Sequence, residues 1–218
     1  MSLAADVIHT AVEMNCSGIN SGSSGNVSAR HPDGFLITPT GMAYGDLEAT
    51  DMVLMSLSGA VVGGTRRPSS EWQFHRDIYA SRPEFGAIVH VHSRAATALA
   101  CLRQPIPAFH YMVAVAGGMD IRCSDYALFG TEALSVVVIA ALEQRRACLL
   151  ANHGLVACGA DLSDALQLAI EVELLASQYL LARQVGEPVL LTDDQMAEVL
   201  VRFTDYGQQP DDGGINGK

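Results

Sequence analysis

Two histidines separated by one valine, His90 and His92, close the apolar run "AIVHVHS" at positions 87–93. The run is short and β-branched, which reads as a strand, and residues i and i+2 of a strand share a face. Two imidazoles then stand side by side, with Val89 and Val91 turned the other way, and such a pair can grip one ion. By itself an H-x-H pair is as readily two hydrogen-bonded core histidines. A third imidazole, His153, lies in "NHG", after an apolar strand and before a glycine, the setting of a side chain held at the rim of a sheet. Three neutral imidazoles leave a zinc ion one open position for water or substrate, which a catalytic zinc requires. His9, His31, His75 and His110 lack that setting.

Around these histidines lie three stretches of small hydroxyls, amides and glycines: "SSGN", "TPTG" and "PSSE". Each offers hydroxyls and backbone N–H groups to an anion without clashing with it. The third opens a helix whose dipole would add to the attraction. Each stretch alone also suits an ordinary turn. Glu71 sits in the first turn of that helix, where a lone acidic residue is favoured by the helix dipole whatever else it does. Ser70 with Gln73 three residues later reads as a capping box, and Pro83 as the stop.

The elements that must position these residues follow from periodicity. The first 17 residues show helical spacing, and "NVSAR", "FLIT" and "DMVLMSL" read as a meander of short strands, with "GAVVGGTRRP" as an exposed loop. "RAATALACLR" is a short helix, "HYMVAVAGG" a strand and "IRCSDY" an irregular return. "GTEALSVVVIAALEQRRA" carries Glu132 in its first turn and Arg145 and Arg146 in its last, and reads as helix. "CLLANHGLVACG" is two strand pieces broken at "NHG". A long capped helix follows to Gly186, and a last one runs from the capping box "TDDQ" through "MAEVLVRF". Helices at both ends of a block of short strands predict a three-layer α/β/α domain with a central, largely antiparallel sheet. One domain is expected over 1–207, with 208–218 a flexible tail.

Composition narrows the function classes. Of the 218 residues, 49% are apolar and 17% charged, which points to apolar surface buried between subunits. A net charge of −11 with 13 Lys and Arg argues against a general nucleic-acid binder. Five cysteines without a C-x-x-C pair fit buried reduced thiols, and no basic leader or membrane-length apolar run is present, so the expected compartment is the cytoplasm.

Read in order, "GNVSAR", "LITPTG", "PSSEWQFH", "VHVHS", "IPAFHYMVAVAGG", "YALFGT" and "NHGLVACG" resemble the class II, zinc-dependent sugar-phosphate aldolases of the L-fuculose-1-phosphate aldolase family, from about residue 4 to Gly207. The resemblance implies a homotetramer of α/β subunits with active sites between neighbours. It implies reversible cleavage of a ketose 1-phosphate to dihydroxyacetone phosphate and a small aldehyde. One zinc per subunit would be held by His90, His92 and His153, with Glu71 as acid/base that touches the metal when no substrate is bound. The phosphate pocket would comprise Gly25, Asn26, Thr40, Gly41, Ser69 and Ser70. Tyr111 of a neighbouring subunit would donate the proton to the aldehyde oxygen, and Phe129 and Tyr206 would shape the aldehyde end. The C-terminal "GQQPDDGGINGK" departs from the family, as does "ANHG", where Ala151 and Asn152 precede the third histidine.

Three rivals share the fold: L-ribulose-5-phosphate 4-epimerases, methylthioribulose-1-phosphate dehydratases and the non-catalytic adducin head. "HYMVAVAGG" favours the aldolases over the epimerases. His90, His92, His153 and Glu71 together argue against a scaffold.

Overall fold

The computed structural model describes residues 2–203. Seven strands form one sheet in the order β4-β3-β2-β1-β5-β7-β6, and every ladder is antiparallel. The strands are β1 (Asn26–His31), β2 (Gly34–Ile37), β3 (Val53–Met55), β4 (Val61–Gly63), β5 (Ala87–Val91), β6 (Ala147–Leu150) and β7 (Gly154–Gly159). The helices are α1 (Leu3–Cys16), α2 (Trp72–Ser81), α3 (Arg94–Cys101), α4 (Glu132–Ala141), α5 (Leu162–Val185) and α6 (Asp193–Phe203).

The strand alternation sorts the core into two layers. Ala87, Val89 and Val91 of β5 join Leu155 and Ala157 of β7 beneath α1, α3, α5 and α6. Ile88 of β5 joins Val156 and Cys158 on the other face, beneath α2 and α4. The predicted three-layer α/β/α fold with an antiparallel sheet is the observed one. All five residues of β5 are buried, so its register is fixed from both sides; a slip by one residue would exchange its faces and carry His90 into the apolar layer. Helix α5 is long and apolar enough to cross a membrane, but Leu166, Ala169, Val172, Leu175 and Ala176 are buried in the first layer, as expected of a core helix.

Several local expectations differ from the structure. "HYMVAVAGG" is a 3-10 turn, Tyr111–Ala116, closed by Gly117 at φ 87°, and not a strand. Its Val113, Ala114 and Ala116 are all buried, in an element packed on α5 and α6, and two neighbours buried together depart from the alternation of one half-covered strand face. The loop "GAVVGGTRRP" contains β4, an edge strand with exposed Val61 and Val62. Helix α4 stops at Ala141, so Arg145 and Arg146 lie beyond it and pair with Asp120 and Asp164. All five cysteines are free, but only Cys148 and Cys158 are buried; Cys16 and Cys101 are exposed. The capping box at α6 is present: Gln195 N–H donates to the Thr192 hydroxyl at 3.2 Å, and Thr192 N–H to Gln195 Oε1 at 2.9 Å.

Candidate metal centre

His90 is buried within β5 and His92 lies one residue past the strand's last residue, Val91, so the sheet fixes the first imidazole and leaves an edge of the second open. His90 Nδ1 is 2.8 Å from the Leu155 carbonyl of β7. A carbonyl only accepts, so Nδ1 carries the proton and the Nε2 lone pair of neutral His90 is free for a cation. That Nε2 lies 3.0 Å from His92 Nε2, and the rings of His90, His92 and His153 are each 4.9 Å from the other two. Glu71 closes the cluster, with Oε2 3.2 Å from His90 Nε2 and Oε1 3.2 Å from His153 Nε2. All four donor atoms lie within 4.8 Å of one another. Donors at tetrahedral zinc distances stand about 3.3 Å apart, close to the three separations observed.

Two backbone approaches hold this geometry. A Cβ on Gly154 would stand 2.4 Å from the Val91 carbonyl oxygen and 2.9 Å from His92 Cδ2, so the glycine of "NHG" is what lets His153 close on His92. Gly25, at φ +76°, passes so near β5 that a Cβ would lie 2.4 Å from the His90 carbonyl oxygen.

Electrostatics suit a cation. Burial pushes His153 down to about 4, with His90 adding to the effect, and pushes His92 down to about 4 likewise. Both rings are therefore neutral near pH 7 and have lone pairs to give. Burial would raise the Glu71 carboxyl, but His90, then His153 and His75, outweigh it and hold the group down to about 2. Glu71 Oε1 is buried without a hydrogen-bond partner. An ionised, buried carboxylate beside three imidazole nitrogens suits a bound divalent ion.

The cluster opens into a cavity of about 370 Å³. Every residue expected for phosphate lines it: Gly25, Asn26, Thr40, Gly41, Ser69 and Ser70. Ser70 is not the helix cap; α2 starts at Trp72 with Glu71 at the cap position and no side-chain cap, while Gln73 donates to the Gly130 carbonyl at 3.2 Å. With Glu71 turned towards the histidines, α2 starts one residue later than expected, and the Ser70 hydroxyl is unengaged by any cap. Ser69 Oγ accepts from Glu71 N–H at 3.3 Å, which leaves its own proton for a ligand. The Asn26 side chain is committed inward, its Nδ2 donating to Glu71 Oε2 at 3.1 Å.

On the other side of the cavity Phe129 lies at the rim, 62% exposed. Tyr111 is not brought to the cluster: it is half-exposed in the 3-10 turn, against His110 and Phe203 in the opposite layer. Tyr206 lies outside the described residues.

Sequence reasoning missed Tyr126 and Asn152 of the cavity wall, and a buried set behind Glu71 made of His75, Ser28 and Tyr79. Periodicity held the signal for that set. Glu71, His75 and Tyr79 are spaced i, i+4, i+8 along one helix face, and Asn26 and Ser28 are i, i+2 on β1, where Asn26 pairs with His90.

Comparison with known proteins agrees with this architecture. The chain is 50% identical over 207 residues to the 5-methylthioribulose-1-phosphate/5-deoxyribulose-1-phosphate aldolase of Rhodospirillum rubrum, covering 95% of this chain and 93% of that protein. It is 48% identical over 206 residues to the L-fuculose phosphate aldolase of Escherichia coli K12, covering 94% and 95%. A solved L-fuculose 1-phosphate aldolase superposes with a TM-score of 0.90 at 41% identity, covering 93% and 96%. The model of the class II aldolase and adducin N-terminal domain matches residues 5–180, so the chain belongs to that family, among its aldolases.

Proposed function

We propose that this chain reversibly cleaves a ketose 1-phosphate, L-fuculose 1-phosphate or a related 5-deoxy or 5-methylthio ketose, to dihydroxyacetone phosphate and a small aldehyde. It would do so as a cytoplasmic homotetramer with one zinc per subunit, residues 1–207 forming one catalytic domain. The observation that carries this reading is the convergence of three imidazoles on an ionised Glu71 in the wall of a hydroxyl-lined cavity.

His90, His92 and His153, with Glu71, would hold the ion, and this nitrogen-rich donor set suits zinc. A zinc ion there supplies Lewis-acid stabilisation of the enediolate formed when the C3–C4 bond breaks. The chain's own groups do the rest. The hydroxyls of Thr40, Ser69 and Ser70, with the backbone at Gly25 and Gly41, hold the phosphate and fix the depth at which the sugar enters. Glu71 returns a proton to C3 in cleavage and removes it in condensation. Tyr111 of a neighbouring subunit takes the C4 hydroxyl proton as the aldehyde forms, and Phe129 and Tyr206 shape the aldehyde end.

The test is triose-phosphate release from L-fuculose 1-phosphate, 5-deoxyribulose 1-phosphate and methylthioribulose 1-phosphate. Release from at least one is expected. Epimerised or dehydrated product without triose phosphate would assign the chain to the epimerase or dehydratase chemistry of the same fold. Chelation should abolish release and zinc restore it, and full turnover by thoroughly demetallated protein would overturn the zinc assignment.

A further inference from the structure

Behind Glu71 runs a buried chain of hydrogen bonds that ends far from the cavity. Asn26 Nδ2 donates to Glu71 Oε2 at 3.1 Å, Asn26 Oδ1 lies 2.5 Å from His75 Nε2, His75 Nδ1 lies 2.6 Å from Ser28 Oγ, and Ser28 Oγ lies 2.8 Å from the Tyr79 hydroxyl. His75 and Ser28 are fully buried, and Asn26 and Tyr79 nearly so.

The direction of every bond follows from one fact, that an ionised carboxylate only accepts. Asn26 must therefore turn its NH2 to Glu71 and its carbonyl to His75. His75 Nε2 must then carry the ring proton, which leaves Nδ1 as acceptor for the Ser28 hydroxyl, and Ser28 in turn accepts from Tyr79. His75 is neutral here, since burial, reinforced by His90, pushes it down to about 3.

The two Glu71 oxygens thereby become unlike. Each faces one imidazole at 3.2 Å, Oε2 that of His90 and Oε1 that of His153, but only Oε2 is fastened by Asn26, and Oε1 is buried with no hydrogen-bond partner. We propose that His75, acting through Asn26, is a positioning residue that fixes the Glu71 carboxylate plane and reserves Oε1 as the oxygen that carries the proton. This rests on the reading of Glu71 as the acid/base. In condensation the C3–H bond of dihydroxyacetone phosphate breaks, the proton forms a bond to Oε1, and the electron pair stays on the carbon skeleton as the enediolate. In cleavage the same proton returns from Oε1 to C3. A carboxylate free to rotate would offer either oxygen in either plane, and near-attack geometry would be populated less often.

The experiment has two readouts on the full-length protein. With 15N-histidine labelling, and His75→Gln to assign the signal, the His75 ring should show a protonated Nε2 and an unprotonated Nδ1, with and without zinc. The opposite tautomer or an imidazolium would overturn the proposal, and the tautomer itself is read on the unaltered protein. The second readout is exchange of the C3 proton of dihydroxyacetone phosphate in heavy water. His75→Leu should lower its kcat roughly 10- to 100-fold, as loss of a supporting hydrogen bond does, with KM and bound zinc unchanged. His75→Gln, whose amide can donate at the Nε2 position, should recover most of that loss. Equal loss in both variants, or loss that follows zinc content, would overturn the positioning role. Failure of triose-phosphate release on every sugar would sink the aldolase reading and leave the tautomer result standing, whereas the wrong tautomer in an active aldolase sinks this proposal alone.

Discussion

The two sides of the cavity are built in different ways. On the side of the imidazole cluster, a buried strand, a helix start and a tight "NHG" turn bring His90, Glu71 and His153 to within hydrogen-bonding distances, with His90 backed by Leu155 and Glu71 by Asn26. On the side proposed for the aldehyde, Phe129 stands exposed at the rim and Tyr111 lies in the opposite layer. Among the described residues, one chain completes the first side and leaves the second open. The difference teaches that rigidity is concentrated where bond polarisation and proton transfer need fixed distances.

The largest expected effect comes from attacking the completed side. His90→Ala should release zinc and lower cleavage by ~1,000-fold or more, the worth of several kcal/mol of Lewis-acid stabilisation. Tyr111→Phe should lower cleavage by about 100-fold, the scale of one lost proton-transfer group, yet leave C3 proton exchange and zinc content unchanged. Co-expressing the two variants should restore part of the cleavage activity, because mixed oligomers regain sites with intact zinc from one subunit and Tyr111 from its neighbour. No recovery in verified mixed oligomers would place both residues' work within one chain and break the comparison.

A smaller effect separates packing from ligation. Gly154→Ala places a Cβ against the Val91 carbonyl and the His92 ring, and should cost about 1–3 kcal/mol of stability together with a measurable loss of zinc affinity. An alanine with normal melting temperature and normal zinc binding would show that the turn relaxes and that the close approach is not needed.

How much of this was legible depends on whether a residue's role is local. The strand reading of "AIVHVHS" placed Val89 and Val91 opposite His90 because a period of two is a property of the backbone itself. The fold class followed from the order of such segments. Ser70 misled because a capping pattern describes a free helix, while here Glu71 takes the cap position and turns to the histidines. "HYMVAVAGG" misled because its composition is β-branched and apolar, while the burial of Val113, Ala114 and Ala116 follows a 3-10 turn and does not alternate. His75 was passed over because its partners, Asn26 and Ser28, are 47 and more residues away, and no local pattern announces a long-range hydrogen bond.

The smallest effect is thermodynamic and tests whether acid sensitivity belongs to the completed side alone. In the metal-free protein His75 stays neutral down to about 3, whereas the unfolded chain takes up its proton near the ordinary 6.5. Between those values the unfolded state holds one more proton, so stability falls as the pH drops below 6.5, by ~1.4 kcal/mol per unit for this one group. His153, held down to about 4, adds in the same direction. The Glu71 contribution has the same sign but a lower window: it is whole above about 4.5 and is lost as the pH falls towards 2. Between pH 6.5 and 5, then, the histidines set the slope. Urea midpoints of the metal-free protein should decline across that range, His75→Gln should flatten the decline by about one proton's worth, and Tyr111→Phe should leave it unchanged. An equal flattening by both variants would mean that the proton uptake is spread over the chain, and the acid sensitivity would then say nothing about the buried side of the cavity.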